Sequence, residues 1–510
     1  MHNWDIDVAL TYHAETKHSY DSVYRSHHFL DWDNQPRSFK QYTHLEPQPL
    51  PETLPTSHVP ALLTFASSPP RAVTQLTLAD VAYVLFYTAG VTKRRVYPGH
   101  GEMLFRAAAC TGALYHIELY LAVADLPDLE AGVYHFGPVD FALRQLRRGD
   151  YRQRLVEASR NHPALQEAPI LLIGSDTFWR NAWKYRARAY RHSFWDAGTM
   201  LANLLAVSVA RDLPAQVVLG FTDNTVNALL DLDGAREAAI FLVGLGQGTP
   251  ATTVQTAVEP LHLEVVPLSR EEVDYPAIRL MHQASTLHSP DEVETWRDGV
   301  PPRHLATTMD ALLPLTPEAD EHVIKAGIET VIRRRGSTRQ FAHRPVSLTA
   351  LSNVLVRAVQ GIPVDFLGLP GTRLNDIYVI AHAVTDLAPG AYVFHPAASA
   401  LELLQAGDFR HQAGLFALGQ DLAADASVVV FLLCDLLRVL EQFGNRGYRA
   451  AQLEAGIIGG RMYLAAYAQE FGATGLTFFD DDVTAFFSPH AEGKSVMFLI
   501  ALGHAVKRRR

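Results

Sequence analysis

The order of apolar and polar residues along the chain follows two different periods. Apolar residues three or four positions apart predict amphipathic helices over 77–88 and 347–358, and longer small-residue-rich helices over 193–211 and 451–469. Short apolar or alternating runs predict strands, namely IELYLAV, GVYHF, PILLIG and AIFLVGLG, and later DIYVIAHAV, GAYVF, SVVVFLLC and VMFLIALG. We expect a polar helix after GVYHF and after GAYVF. This irregular mixture of strands and helices predicts an α+β fold rather than a doubly wound series.

An internal repeat organises the chain. The segment 129–152 aligns with the segment 387–410 at a constant shift of 258 residues and without a gap. The shift pairs identical residues: Gly132 with Gly390, Tyr134 with Tyr392, Phe136 with Phe394, Pro138 with Pro396, Asp150 with Asp408, Arg188 with Arg446, and Gly198 with Gly456. Shared strand patterning would not keep Gly, Pro, Asp and Arg in register over separate blocks, so the sequence predicts a duplicated domain.

The repeat predicts four parts of the chain. An N-terminal extension covers 1–60, and a first domain covers 61–265. A linker covers 266–320, where Pro, His, Ser and Asp interrupt the periodicity, and a second domain covers 321–510. We interpret the extension as an arm docked by its aromatic side chains, without a chemical role.

Composition narrows the classes of function. The 510 residues are 48% hydrophobic and 19% charged, with a formal net charge of −10, which is typical of a soluble globular protein. The only long basic run is 507–510, so we expect neither a nucleic-acid nor a membrane partner. Cys110 and Cys434 are too few for a disulfide framework or a zinc site built from thiolates, and no metal site is expected. The N-terminus lacks the pattern of a secretion signal, so we expect a cytoplasmic protein.

A basic turn is the first candidate for binding chemistry. RRRGSTRQF at 333–341 follows the helical pattern EHVIKAGIETVI, and Gly336 is a usual C-cap residue. Arg335 and Arg339 flank Ser337, and guanidinium groups beside a hydroxyl suit the oxygens of a phosphate. The alternative is a solvated basic turn that favours the negative end of the helix.

The same turn of the first copy is FASSPPR, where Phe65 and Pro69 take the places of the two arginines. If the repeat once bound two phosphates, the first copy has lost its site.

A small-residue loop is the second candidate. RAAACTGALYHIELY at 106–120 runs directly into a strand, and small side chains let a flat ligand lie against the backbone. Its counterpart at 364–378 has no such run. The alternative is a tight loop needed for packing. We interpret Cys110 as a small buried residue rather than a nucleophile.

The third candidate is Lys184 with Tyr185 in FWRNAWKYRARAYRHSFWDAG, a pair that the shift aligns with Gln442 and Phe443. Such a pair can exchange protons beside a redox centre if burial and proximity move the two pKa values toward neutrality. The alternative is a lysine that extends from an aromatic surface toward solvent.

At these residues the chain resembles the nitroreductase superfamily, and within it the SagB/ThcOx-type dehydrogenases, over nearly all of 1–504. RGSTRQF resembles the FMN-phosphate motif Arg-Arg-Ser-x-Arg-x-Phe, with Gly336 in place of the second Arg. ACTGALYH resembles the flavin-facing loop Pro-Ser-Ala-Gly-Ala-Leu-Tyr-Pro, with Ala109 and Cys110 for Pro-Ser and His116 for the last Pro. WKYRARAYR resembles the Lys-Tyr motif that azoline-oxidising members use in catalysis.

The resemblance implies a specific assembly. Its members are ordinarily homodimers with FMN at the interface, so the two halves are expected to form an intramolecular pseudo-dimer with one FMN per chain. The site residues it implies are Arg335, Gly336, Ser337 and Arg339 at the phosphate, Ala109, Cys110, Thr111, Gly112 and Ala113 at the flavin, Gln420 at the pyrimidine edge, Gly475, Leu476, Thr477 and Phe478 near N5 and O4, and Lys184 and Tyr185 in catalysis. The reciprocal site, with Phe65, Pro69 and the loop 364–378, should be inactive.

The implied function is an FMN-dependent oxidoreductase that transfers hydride at flavin N5 on a peptide or small-molecule substrate, as in azoline-to-azole oxidation. An NAD(P)H-dependent reductase of nitroaromatics or quinones is the alternative, and the absence of a GxGxxG fingerprint does not decide between them. A second alternative is a flavin-free scaffold for peptide modification, against which the retained arginines and the Lys-Tyr pair argue.

Overall fold

The structure is a computed structural model that describes residues 2–26, 28–65, 76–97, 101–248, 250–251, 258–301, 312–368 and 371–506. Pro69, residues 302–311 of the predicted linker and the basic residues 507–510 lie outside these ranges.

Each half of the chain contains an antiparallel sheet with the same strand order. In the first half the order is β1-β6-β5-β4-β7-β9-β8, and in the second it is β10-β15-β14-β12-β16-β18-β17. The strands of the first half are β1 (Pro47–Pro49), β2 (Val91–Tyr97), β3 (Gly101–Arg106), β4 (Ile117–Val123), β5 (Gly132–Gly137), β6 (Ala142–Arg148), β7 (Ile170–Thr177), β8 (Ala215–Val218) and β9 (Glu237–Leu245). Those of the second are β10 (Leu312–Pro314), β11 (Val346–Ser347), β12 (Asn375–Ala381), β13 (Val384–Thr385), β14 (Gly390–His395), β15 (Ala400–Ala406), β16 (Val428–Cys434), β17 (Gly472–Gly475) and β18 (Ser495–Gly503).

The helices of the first half are α1 (Asp7–Glu15), α2 (Tyr20–Tyr24), α3 (Leu78–Ala89), α4 (Arg152–Ala158), α5 (Pro163–Gln166), α6 (Phe178–Tyr185), α7 (Ala189–Ala210) and α8 (Asp223–Leu230). They are followed by α9 (Pro276–Ala284), α10 (Pro290–Arg297), α11 (Ile328–Arg334), α12 (Leu348–Ala358), α13 (Arg410–Phe416), α14 (Asp421–Asp425), α15 (Leu436–Phe443), α16 (Arg446–Ala468) and α17 (Asp480–Phe487). Side-chain caps explain where the two predicted amphipathic helices, α3 and α12, begin. The Thr77 side chain accepts a hydrogen bond from Asp80 N before α3, and the Ser347 side chain accepts one from Ala350 N before α12.

The structure confirms the α+β fold and its duplication. Strands β4, β5, β6 and β7 begin 258 residues before β12, β14, β15 and β16. The polar helix expected directly after GVYHF and GAYVF was wrong, because β6 and β15 come first and pair antiparallel with β5 and β14. Only after these strands do α4 and α13 begin.

Two other expectations also differ from the structure. Helices α9 and α10 lie inside the segment predicted as a linker, and α9 packs beside α1 of the N-terminal extension. The helix expected over EHVIKAGIETVI begins only at Ile328, after Gly327 in an extended conformation, and it ends at Arg334. Gly336 is therefore not its C-cap, a position that Arg335 occupies with extended backbone (φ −54°, ψ 140°).

The two long central helices, α7 and α16, form the contact between the halves. Both are buried on nearly every face. They touch at Gly198 and Gly456, where a Cβ added to Gly198 would lie 2.6 Å from Gly456 Cα. Because the shift of 258 relates these glycines, the helices cross on a pseudo-twofold axis with the same residue on both sides.

Buried ion pairs repeat this symmetry across the boundary. Asp480 of the second half pairs with Arg188 and Arg191 of the first at 3.0 and 2.6 Å. The equivalent Asp223 pairs with Arg446 and Arg449 at 2.7 and 2.9 Å. Each half thus supplies the carboxylate for the other half's guanidinium groups, which fixes the halves in one arrangement.

Among the described residues, no helix is both long enough and apolar enough to cross a bilayer.

Candidate functional site

A cavity of about 1640 Å³ opens at the boundary between the halves. Most of the residues predicted for the site line it: Ala109, Cys110, Thr111, Gly112, Ala113, Lys184 and Tyr185 from the first half, and Arg335, Gly336, Ser337, Arg339, Gln420, Gly475, Leu476 and Thr477 from the second. The 109–113 loop and the 335–339 turn, more than 200 residues apart in the sequence, therefore border one cavity together with the Lys184-Tyr185 pair.

The basic turn forms one end of the cavity. Arg335 Nε donates to the carbonyl of Ala107 at 2.9 Å, and the guanidinium lies 5.8 Å from the ring centre of Tyr463. Ser337 Oγ lies 3.3 Å from Tyr463 Oη. Arg339 is exposed and makes no ion pair with another described residue. This end presents two guanidinium groups and a hydroxyl to the cavity.

The small-residue loop approaches the other side of the cavity with unusual backbone angles. Gly112, Ala113 and Tyr115 have φ of 65°, 55° and 52°, a left-handed conformation that costs energy at the two residues with a Cβ. A Cβ on Gly112 would lie 2.9 Å from the hydroxyl of Tyr185, so only glycine lets the loop come this close to the Lys-Tyr pair.

Lys184 and Tyr185 end α6 at the cavity wall. Lys184 Nζ lies 5.5 Å from the centre of the Tyr185 ring, which packs edge-on against His192 at 4.6 Å. Burial, with the Asp196 carboxylate nearby, raises the pKa of Tyr185 well above its ordinary value. Tyr185 is therefore a neutral phenol that can donate a hydrogen bond.

The 475–478 segment divides between the cavity and the core. Thr477 borders the cavity, and its Oγ1 is buried without a hydrogen-bond partner among the described residues. Phe478, which the resemblance placed near the ring, lies outside the cavity lining, is fully buried, and packs 5.8 Å from Trp195. Gln420 lines the cavity, but its Nε2 donates to its own turn at Ala417 O, 2.8 Å away.

Sequence reasoning missed a polar network behind the small-residue loop. His116 is fully buried, with Nδ1 2.7 Å from Asp176 Oδ1 and Nε2 2.8 Å from Asp196 Oδ2. Burial alone would lower the pKa of His116, but the two carboxylates raise it well above its ordinary value. Cys110 Sγ lies 3.1 Å from Asp196 Oδ2, and burial with this carboxylate raises the pKa of Cys110 to about 11. The one signal in the sequence was Asp196, the single acidic residue of a helix that is apolar over most of its length.

The N-terminal extension and a hairpin complete the wall. Arg37 and Phe39 of the extension line the cavity, so this docked segment contributes to its wall. The hairpin of β2 and β3 adds Lys93 and Arg95, which lie on the same face of β2, two residues apart.

The Nitroreductase family model matches residues 130–247 and 332–504, which is more than half of the chain and includes parts of both halves. The chain belongs to the nitroreductase family. The two matched segments contain equivalent strands and the central helices α7 and α16.

This nitroreductase-family chain is similar to several curated proteins. It is 26% identical over 172 residues to a Methanocaldococcus jannaschii nitroreductase, covering 34% of this chain and 81% of that one. It is 29% identical over 171 residues to the trifolitoxin-processing protein TfxB of Rhizobium leguminosarum bv. trifolii, covering 32% and 46%. It is 28% identical over 140 residues to the microcin B17-processing protein McbC of Escherichia coli, covering 26% and 52%. The match thus spans about half the length of TfxB and McbC.

A crystal structure described as a nitroreductase from Anabaena variabilis matches the whole arrangement. It covers 98% of this chain and 99% of that one at a TM-score of 0.76 and 24% identity. The duplicated fold is therefore shared by a second protein.

Proposed function

We propose that the protein is an FMN-dependent oxidoreductase of the SagB/ThcOx type, with one FMN bound across the two halves. The observation that carries the proposal is that the Arg335–Arg339 turn of the second half borders the same cavity as the 109–113 loop and the Lys184-Tyr185 pair of the first. Neither half alone has both a phosphate-binding turn and a small-residue loop.

The residues present fit this cofactor. Arg335, Ser337 and Arg339 would hold the phosphate, since guanidinium forks and a hydroxyl match its oxygens. The orphan Thr477 Oγ1 needs a hydrogen-bond partner from the cavity, which the polar edge of an isoalloxazine can provide. Bound FMN would supply two-electron hydride acceptance or donation at N5.

The chain itself would position the substrate and handle its protons. Tyr185, a neutral phenol, can orient a substrate heteroatom by donating a hydrogen bond from beside Gly112. Lys184 Nζ, on the same cavity wall, can accept a proton from a substrate C–H or N–H when its amine is neutral. The pair would thus serve an oxidation in which a proton and a hydride leave the substrate.

We propose an azoline within a peptide as the substrate class. Two proteins similar to this chain are named for the processing of trifolitoxin and microcin B17. A cavity of about 1640 Å³ also exceeds the roughly 300–1,000 Å³ of ordinary ligand pockets, so a peptide segment can enter beside the cofactor.

A nicotinamide-dependent reductase of nitroaromatics or quinones is the second candidate. Lys93 and Arg95 favour it, because these cationic side chains line the cavity and make no ion pair with a described residue. A site for nucleotide phosphates requires cationic groups of this kind. Burial, with Arg95 and Arg335 nearby, lowers the pKa of Lys93.

One experiment separates these functions. The purified full chain is loaded with FMN, and its flavin absorbance is followed in anaerobic stopped flow with an azoline peptide or with NADPH. Bleaching by the peptide alone supports the dehydrogenase, and bleaching by NADPH alone supports the reductase. Failure to bind any flavin would refute both and favour a non-catalytic scaffold for peptide modification.

A further inference from the structure

We propose that Cys110, His116 and Asp196 form a binding site for a zinc ion in the wall of the cavity. Each residue offers one ligand atom, the Cys110 sulfur, His116 Nε2 and an Asp196 oxygen, and these three atoms all lie within 4.8 Å of one another. Zinc binding would displace the proton of the thiol and the Nε2 proton of the imidazole to solvent, since zinc ligands bind in their deprotonated forms. Cys110 lies in the small-residue loop, His116 is the residue directly before β4, and Asp196 lies in helix α7.

The donor set suits zinc among common divalent ions. Sulfur, imidazole nitrogen and carboxylate oxygen are the three ligand types that zinc takes in proteins, whereas magnesium and calcium prefer oxygen alone. A tetrahedral zinc with bonds of about 2.0–2.3 Å sets its ligand atoms roughly 3.3–3.6 Å apart. The His116–Asp196 and Cys110–Asp196 separations of 2.8 and 3.1 Å need to widen by only about half an ångström to admit the ion.

The surrounding hydrogen bonds hold these ligands in place. His116 Nδ1 faces Asp176 Oδ1 at 2.7 Å, and Ser193 Oγ donates to the other oxygen of Asp176. Histidines that bind metals almost always have a carboxylate or carbonyl on the second ring nitrogen, which fixes the ring orientation. Tyr115 N donates to Cys110 Sγ at 3.1 Å, so the sulfur also has a backbone amide directed at it.

The site is open on one side only. Cys110 and Asp196 line the cavity, while His116 is fully buried behind them. Three protein ligands with a free fourth position are the arrangement of catalytic rather than structural zinc sites. The fourth ligand would therefore be a water molecule or a substrate group from the cavity.

The second copy lacks this donor set. The shift of 258 aligns Cys110 with Gly368, His116 with Leu374 and Asp196 with Glu454. Glu454 instead accepts hydrogen bonds from the amides of Leu374 and Asn375, at 2.9 Å each. The cluster thus occurs only in the half that carries the small-residue loop, as expected if it serves the open cavity.

The test measures metal on the full chain, with or without flavin, so it does not depend on the proposed function. Protein stripped with a chelator is incubated with Zn²⁺, passed through gel filtration and analysed for zinc by mass spectrometry. A chromophoric chelator then gives the dissociation constant, and Co²⁺ in place of Zn²⁺ reports a sulfur ligand by its thiolate-to-metal absorption. Flavin content and melting temperature are recorded for each sample.

We expect stoichiometric zinc in the wild type and in the control C434S, which changes the other free thiol. C110S should abolish the cobalt-thiolate absorption, and D176N should weaken zinc binding by about 10- to 100-fold, the usual effect of removing a partner of a ligating histidine. Absence of zinc from the folded wild type would overturn the proposal, and so would zinc or cobalt binding that survives C110S unchanged. If H116Q does not fold, C110S still decides, since Cys110 is only partly buried.

Discussion

The two equivalent sites of the pseudo-dimer differ in volume. The open cavity measures about 1640 Å³, whereas a cavity in the equivalent position measures about 390 Å³. The shift of 258 relates seven lining residues of the small cavity to lining residues of the large one, among them Leu205 to Tyr463, Val209 to Tyr467, and Gln247 to Ala505. The small cavity is therefore a reduced form of the large one.

Two side chains, Phe65 and Asp365, distinguish the surroundings of the small cavity from those of the open one. Phe65, in the place of a phosphate arginine, is buried, and the Arg461 guanidinium lies 5.9 Å from its ring centre. Asp365 accepts hydrogen bonds from the amides of Leu219 and Gly220 at 2.9 and 2.8 Å. At a shift of 257 these amides correspond to Leu476 and Thr477, which face the open cavity. The two sheets are alike, and the two sites differ in the loop residues that border them.

The largest expected effect concerns Lys184 and Tyr185, which only the open site has. If the pair transfers protons, Lys184→Met and Tyr185→Phe should keep the fold and the flavin but slow substrate-dependent flavin reduction by about 10²–10⁴-fold. The control Gln442→Met changes the exposed counterpart of Lys184 and should leave the rate unchanged. Stopped flow on flavin-loaded protein measures this. Unchanged rates in the first two variants would assign the pair a packing role.

A second prediction concerns the buried ion pairs of Asp480 and Asp223, which are alike in the two halves. Burial alone would raise the pKa of Asp480, but Arg188 and Arg191 hold it well below its ordinary value, and Arg446 and Arg449 likewise lower the pKa of Asp223. Asp480→Asn and Asp223→Asn should each reduce the free energy of unfolding by about 3–5 kcal/mol, because two buried guanidinium groups lose their carboxylate.

The lowered pKa of Asp480 makes the stability of the folded protein depend on pH. A lowered carboxyl pKa contributes stability above the unfolded value of about 4 and loses it as the pH falls further. Urea titrations should therefore show the gap between wild type and Asp480→Asn shrinking below about pH 4. A gap that is constant with pH would contradict the ion-pair explanation.

A smaller effect is expected at the phosphate end. Arg335→Ala should weaken FMN binding by about 1.5–3 kcal/mol, the usual value of a charge-assisted hydrogen bond. Arg334→Ala is the matched control, since this neighbouring arginine is exposed and does not line the cavity. Fluorescence titration of the flavin-free protein with FMN measures both. Equal losses in the two variants would indicate a general charge effect rather than a specific contact.

The smallest effect is expected at the reduced site. Asp365→Ala removes the carboxylate that accepts hydrogen bonds from the amides of Leu219 and Gly220. Phe65 still takes the place of the phosphate arginine, so the protein should bind one FMN per chain as before. Released-flavin absorbance against protein concentration gives the ratio. A ratio that rises to two would mean that Asp365 alone keeps the second site closed.

Much of the fold could be predicted from the sequence, because the two copies align residue by residue at one constant shift. The shift of 258 placed Gly132 on Gly390 and Pro138 on Pro396, and the structure has equivalent strands there. Strand β6 was missed because ALRQLRR is as polar as a surface helix, and only pairing with β5 identifies it as a strand. Helix α9 was missed because its apolar face contacts distant parts of the chain.

The candidate site could be predicted only where its motifs are continuous in sequence. The 109–113 loop and the 333–341 turn are each a short run of unusual composition. The His116 network could not be found in this way, because Asp176 and Asp196 come from a strand end and a helix centre, and only the fold brings them to the same imidazole.

The crossing of Gly198 with Gly456 has a further consequence for how the two copies can diverge. In a dimer of identical chains every substitution appears twice, and dilution separates the subunits. Here the partner is covalently attached, so its effective concentration does not fall on dilution. Each substitution also appears once, so one site could acquire Phe65 from the first copy and Asp365 from the second while the other site kept Arg335 and Arg339, with no loss of the shared helix contact.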